Sequence, residues 1–315
     1  MPPISSTSRN TPFPHGATAN SGSAPKGLSA VLLAQIIVNG ILLGGLYGLM
    51  ALGMALVWGV LNIVNLAHGA FIMLGGYAVY FLFAELGIDP FLALPIAMAV
   101  MFAFGYLLQL LVLNQIVRSA MLNTLLITFG LDVVLTYLAQ LLFTADFRTI
   151  GPSYAGANFT LLGVTVPGIR LAAFAVAWLL AGIMWIILTR LPLGRSIRAT
   201  AQNLTAARLY GVNPRQLYAV TFGIGAALAG ASGGLYGMIG HLSPYIGVPL
   251  TAQSFVIAVI GGLDNPFSVI LAGLVIGIAE SLAALYLGPT YANVISFGLL
   301  VVILVLRPAR ALRSA

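Results

Sequence analysis

Residues 194–237, GRSIRATAQNLTAARLYGVNPRQLYAVTFGIGAALAGASGGLYG, decide the fold, because two opposite compositions meet inside them. The stretch opens as a polar, helix-forming segment holding Arg195, Arg198, Arg208 and Arg215 with no acidic residue between them, and Arg190 stands just ahead. It then passes into an apolar run rich in Gly and Ala. A soluble domain would need charged surface to cover such a run. Of the 315 residues, 60% are hydrophobic and 6% charged, with a mean hydropathy of +1.06. Apolar runs of about 20 residues, the length that crosses a bilayer as helix, recur on both sides of the stretch. The chain therefore reads as an all-α protein, a polytopic transmembrane helical bundle. The runs do not alternate, which argues against a β-barrel.

Working outward, hydrophobic segments fall at 28–60, 67–86, 91–117, 121–143, 171–189, 216–240, 251–263, 266–287 and 289–306. The first is long enough for one tilted helix or two short ones broken near Gly44-Gly45, and 251–263 is short for a crossing of its own. The expectation is eight to ten membrane-spanning helices, some discontinuous. Residues 1–27, rich in Ser, Pro, Gly, Thr and Asn and without an apolar core, read as a disordered N-terminal tail and not a signal peptide. Residues 28–307 form the transmembrane domain, and 308–315 a basic C-terminal tail.

Charge orients the chain. Arg118, the Arg190–Arg215 group, and Arg307, Arg310 and Arg313 fall in turns that the segment order places on one side. Glu85, Asp89 and the loop at about 144–170, with Asp146, Arg148 and Arg170, fall on the other. The Arg-rich side is read as cytoplasmic and the 144–170 loop as a small external cap. The net charge of +7 follows from these loops and does not point to nucleic acid. With no Cys there is no disulfide framework, thiolate metal site or cysteine nucleophile.

In the opening stretch, a helix is expected from Leu193 to Thr205, followed by Ala206-Ala207-Arg208-Leu209-Tyr210-Gly211. Gly211 suits a helix C-terminus and Asn213-Pro214 stops the helix from continuing. Small side chains ahead of a Gly stop would let a short helix lie in a groove on a partner. An ordinary positive-inside loop would have the same composition. A second candidate is Asn62-Ile63-Val64-Asn65-Leu66-Ala67-His68-Gly69, a polar break between apolar runs. Such a break is tolerated only where it faces protein or a water-lined cavity. It could aim backbone N–H groups at a solute carboxylate, with Asn65 and His68 adding hydrogen bonds. Alternatively it is a connecting turn whose Asn side chains satisfy backbone groups and whose His makes a structural bond.

Asp132 and Glu280 lie within apolar runs, where a charge is costly and faces the bundle interior. Hydrogen bonding inside the bundle is the expected role, and a proton relay the alternative. Gly261-Gly262-Leu263-Asp264-Asn265-Pro266 reads as a tight turn or a re-entrant pore element. The small residues from Gly223 to Gly240, including Gly230, Gly233, Gly234 and Gly237, mark a helix interface, within the chain or with a partner. His15, His68 and His241 have no metal-site spacing, and Ser232 has no nucleophile elbow around it. The only Lys is Lys26, without the Gly-x4-Gly-Lys context of a P-loop, so the chain has no Walker-type ATP site.

Ala206-Ala207-x3-Gly211 resembles the core of the coupling motif of ABC-importer permeases, with Thr205 where that motif has Glu. The run Gly194-Arg195-Ser196-Ile197-Arg198-Ala199 through Asn203 to Gly211 is similar to the LivH-type branched-chain amino-acid permeases. So are Asn62 to Gly69, Gly261-Gly262-Leu263 and Leu306-Arg307-Pro308, in order, across about residues 35–310. The resemblance implies a permease subunit that pairs with a second, LivM-like permease. Two cytoplasmic ATP-binding subunits, which hold ATP and Mg, and an external solute-binding protein would complete an importer of the bacterial inner membrane. It further implies that this chain is not itself an enzyme and binds no cofactor of its own. Arg195, Arg198, Ala206, Ala207, Gly211 and Pro214 would couple to the ATPase, and Asn62, Asn65, His68 and Gly69 would line the pathway. Leucine, isoleucine and valine are the implied solutes, with urea or short amides the alternative. A self-sufficient secondary transporter or a non-transporting scaffold subunit are the competing classes.

Overall fold

The computed structural model describes residues 26–117, 121–262, 265–288 and 291–306. Of the expected N-terminal tail only Lys26 and Gly27 lie within that range, and both already belong to the first helix. The basic C-terminal tail, Arg118, Leu263 and Asp264 lie outside the described residues. In chain order come α1 (Lys26–Leu61), α2 (His68–Ala84), α3 (Pro90–Leu111), α4 (Met121–Phe143), a hairpin of β1 (Asn158–Leu161) and β2 (Val164–Pro167), and α5 (Gly168–Arg190). Then follow α6 (Pro192–Gln202), α7 (Leu204–Leu209), α8 (Pro214–Ile239), α9 (Gly247–Gly261), α10 (Pro266–Tyr286) and α11 (Ala292–Leu306). Seven described segments are long and apolar enough to cross a membrane, and two shorter apolar helices, His68–Ala84 and Val294–Ile303, join them. The expected bundle is present.

Glycine placement explains how it packs. The first hydrophobic segment is one unbroken helix of 36 residues, so Gly44-Gly45 do not divide it. Gly40, Gly44 and Gly48, one turn apart, instead form a flat stripe against α10. A Cβ on Gly44 would lie 2.7 Å from Gly273 O and 2.8 Å from Leu274 Cα, so the backbones meet directly. The run from Gly223 to Gly240 does the same inside α8: Gly225 packs on Gly53 of α1, Gly230 on Met101 of α3, and Gly233 on the Ile72 carbonyl of α2. That interface lies within the chain. The most apolar windows of α1 and α8 are each 83% buried, against 28%, 22% and 28% for α3, α4 and α5. The first two are the axis of the bundle, and the other three present Leu-rich faces outward.

Helix starts follow one sequence device. Asp89, Asn213 and Asn265 each precede a Pro, and each side chain accepts from the second following N–H, of Phe91, Arg215 and Phe267 respectively. The Pro needs no donor at that position. On either side of Leu263 and Asp264, Gly262 stands at φ +81° and the Asn265 side chain caps α10.

The 144–170 loop is ordered into a cap. Gln35 of α1 donates to Thr165 O (2.6 Å) while its Oε1 accepts from Thr165 N–H (2.7 Å), and Tyr154 donates to Asp89 (2.7 Å). Arg148 exchanges backbone hydrogen bonds with Leu242 and sets its guanidinium over Tyr80, 5.2 Å from the ring centre.

Candidate functional site

The helix expected from Leu193 to Thr205 is a pair. α6 ends at Gln202, and Asn203, in an extended conformation, accepts at its side chain from Ala206 N–H (2.9 Å) to start α7. Asn at this position prefers to cap, which turns the chain where uninterrupted helix propensity would have carried it on. Gly211 closes the element at φ +84°. Its N–H donates to Arg208 O (3.0 Å) and that of Val212 to Ala207 O (3.1 Å), the paired bonds of a Schellman terminus. Pro214 then stands at the first position of α8.

The pair is anchored by few residues. Gly194 sits so close to α5 that a Cβ would press on the carbonyls of Ile187 and Leu188, and Ile197 and Ala207 are buried. Arg195, Arg198 and Gly211 are exposed, and Ala206 is half-buried. The sequence reading missed Leu209 and Tyr210, 85% and 90% exposed at the tip of α7. Two large apolar side chains projecting beside Arg208 make an unusual surface for a solvent-facing turn. Their signal was available: the buried Ala207 fixes the helical phase, and that phase turns the next residues outward. Because Asn203 holds α7, Asn203→Ala is expected to weaken the pair by about 1 kcal/mol, read as faster amide exchange at Ala206 with the transmembrane helices unaffected.

The polar break is a different object. Asn62 adopts φ +54° and donates its N–H to Trp58 O (2.9 Å), ending α1 as an exposed cap. Asn65 is buried; its side chain accepts from Ala67 N–H (3.1 Å) and its carbonyl from His68 N–H (3.2 Å). His68, buried, donates from Nε2 to Met50 O (2.9 Å). Met50 lies eleven residues before the end of α1, about 16 Å back along the helix. The chain therefore re-enters the bundle and α2 begins at mid-depth. There it meets the first turn of α9: Gly69 N–H donates to Thr251 Oγ1 (2.7 Å), and Thr251 donates to Leu66 O (3.3 Å). The predicted discontinuity is present, and the amides of its first residues are bonded within the protein.

Of the two buried acids, Glu280 Oε1 accepts from Gln253 Nε2 and Ser296 Oγ, both at 2.5 Å, and the Tyr47 hydroxyl bonds the same carboxylate. One side chain thus ties α1, α9, α10 and α11. Asp132 is buried in α4 with its Oδ1 unpartnered among the described residues. No grouping of three metal-ligating side chains occurs among the described residues.

A bundle with seven bilayer-length helices, a re-entrant segment and an ordered Arg-rich helix pair on one face is a multi-pass membrane transport subunit. The chain belongs to the family described as branched-chain amino acid transport system / permease component, whose profile matches residues 36–304. It is 32% identical over 291 residues to the high-affinity branched-chain amino acid transport system permease protein BraD of Pseudomonas aeruginosa, covering 87% of this chain and 94% of that protein. Against the permease protein LivH of Escherichia coli K12 the identity is 30% over 289 residues, covering 87% and 93%. The permease protein LivM of the same strain is 29% identical over 286 residues, covering 84% of this chain and 67% of that protein. No solved structure matches the chain at a significant level.

Proposed function

We propose that this chain is the membrane permease subunit of an ATP-driven importer that carries leucine, isoleucine and valine across a bacterial inner membrane. The observation that carries the reading is the α6–α7 pair: a capped element, closed by Gly211 and presenting Arg195, Arg198, Arg208, Leu209 and Tyr210 outward. An ATPase subunit docked there would take Leu209 and Tyr210 into an apolar groove and pair the arginines with acidic or carbonyl groups. Ala206 and Ala207 allow close approach, and Pro214 passes movement directly into α8, the axis of the bundle. ATP and Mg belong to two such partner subunits. A LivM-like second permease would cover part of the outward faces of α3, α4 and α5, and an external binding protein would deliver solute at the hairpin face. Asn65, His68 and Gly69 bear on transport by holding α2 at mid-depth against α9, and Asn62 by ending α1 ahead of them.

Uptake of radiolabelled leucine, with urea in parallel, tests this in vesicles holding the chain alone or with neighbouring permease, ATPases, binding protein and ATP. Uptake of leucine only by the full set is expected, lost at least tenfold in Gly211→Arg with unchanged expression. Urea without leucine uptake would assign the amide branch of the family. Uptake by the lone chain without ATP would make it a secondary transporter.

A further inference from the structure

A cavity of about 270 Å³ lies between α1, α5, α8 and α10 in the half of the bundle nearer the hairpin. Leu42, Leu46 and Ile239 supply apolar wall, and Asn39, Tyr47 and Arg170 supply polar groups. A second cavity, about 390 Å³, lies against Leu52, Leu56 and Val60 of the same helix on the Arg-rich side, with Arg198 at its edge. Along α1 the two are separated only from Tyr47 to Leu52, about 7.5 Å of helix, where Leu49 and Met50 are fully buried. At the outer edge of that stretch Gly45 lies against Phe174 and Trp178 of α5; a Cβ there would come within 3.0 Å of Trp178 Nε1 and closer still to the Phe174 ring. Two vestibules aligned on one helix, with a thin apolar waist between them, have the form of an interrupted route.

The outer vestibule has unspent hydrogen-bonding capacity. Asn39 Oδ1 is buried with no partner among the described residues, and so is Trp178 Nε1 at the waist. A buried acceptor left empty is costly, and its natural remedy is a donor from something that enters the cavity. Arg170 is exposed at the mouth, and none of the described carboxylates pairs with it. The Glu280 carboxylate sits one side chain behind the wall, hydrogen-bonded to Tyr47.

We propose that the outer cavity is a subsite for one zwitterionic α-amino acid with a short apolar side chain. Arg170 takes its carboxylate, Asn39 Oδ1 and the Tyr47–Glu280 pair face its ammonium, and the Leu42–Leu46–Ile239 wall takes its side chain. A guanidinium matches a carboxylate with two parallel donors, and an amide acceptor beside a second-layer carboxylate favours a cation. Urea offers neither charge. An acidic or basic side chain would have to be buried against Leu and Ile without a partner. The volume is near the lower end of ligand pockets, the scale of a single small solute. This assignment rests on the amino-acid importer reading and adds a site to it.

The test uses the full complex in vesicles, with leucine uptake and ATP hydrolysis measured together for the parent, Arg170→Gln, Arg170→Lys and Asn39→Leu. Because a binding protein sets the apparent affinity for solute, the informative quantity is leucine delivered per ATP consumed. Arg170→Gln and Asn39→Leu are expected to lower that ratio at least tenfold, with hydrolysis stimulated by loaded binding protein kept within twofold of the parent. Arg170→Lys should recover part of it. Hydrolysis also reports that each variant is folded and assembled. If the parent imports leucine and both variants keep its ratio, the subsite is wrong and the importer reading stands. If the parent imports urea and not leucine, the importer reading fails first and the subsite with it.

Discussion

Replacing Gly69 by alanine is expected to destabilise the bundle by at least about 3 kcal/mol, whereas Gly130→Ala should leave it unchanged or slightly more stable. A Cβ on Gly69 would press on Gly247 O, Gly247 C and Thr251 Oγ1, and two of those three are backbone atoms that no rotamer change can move. The same residue donates its N–H to Thr251 (2.7 Å), so pushing α9 away also strips a buried donor of its acceptor. Gly130, in α4, has nothing within 4 Å of its Cβ position. There alanine only removes the entropic cost of glycine in a helix, up to about 1 kcal/mol. At about 2.1 cal/mol/K of unfolding entropy per residue, the loss at Gly69 corresponds to a fall of at least about 4 °C in Tm for a chain of 315 residues. It would be read as the temperature at which detergent-solubilised protein leaves its monodisperse chromatographic peak. Equal melting of the two variants would mean that α2 and α9 do not meet at mid-depth.

That contact also marks where sequence ceases to determine structure. Nine hydrophobic segments, their order and the Arg-rich face follow from composition, because a bilayer demands bilayer-length apolar helix and little else. Asn213-Pro214 and Asn265-Pro266 were read as interruptions; that they and Asp89-Pro90 start helices lay within reach too, since cap and Pro act within a few residues of chain. Asn203 was legible in kind and overlooked: helix propensity summed across Leu193–Thr205 hid one residue that prefers to cap. The unbroken α1 is the reverse case. Gly44-Gly45 looks like a break until α10 is laid against it, and the partner stripe of Gly273 and Gly277 lies more than two hundred residues away. Separation along the chain likewise hid Thr251, 182 residues from Gly69, and even 18 residues sufficed to hide the bond from His68 to Met50. The 62–69 break could be recognised as polar and intramembrane, but its depth depends on Met50 and Gly247, which nothing local specifies. The outer cavity was illegible for the same reason, since Asn39, Arg170 and Tyr236 come from three separate helices.

Glu280 separates the two remaining accounts of intramembrane acid, and Glu280→Ala and Glu280→Gln are expected to behave differently. Alanine removes an acceptor used by Gln253, Ser296 and Tyr47 together, leaving three polar groups in the interior without it. Each unsatisfied donor costs about 1–3 kcal/mol, so the loss should reach about 3 kcal/mol even if one donor finds a carbonyl. It should loosen α11, which Ser296 holds to α10, before the rest of the bundle. Glutamine keeps an oxygen where Oε1 lies and loses only the charge. If the carboxylate does not carry protons, Glu280→Gln keeps assembly and a measurable part of the parent's stability-corrected leucine uptake, reduced because the charge behind Tyr47 is gone, and Glu280→Ala loses both assembly and uptake. A proton carrier would behave in the opposite way, because an amide cannot release a proton at any accessible pH. In that case Glu280→Gln would assemble and melt like the parent while transporting nothing. The measurement is uptake and melting on the same preparations. The three donors converging on one carboxylate favour the first outcome, since a group so bound has little freedom to pass a proton onward.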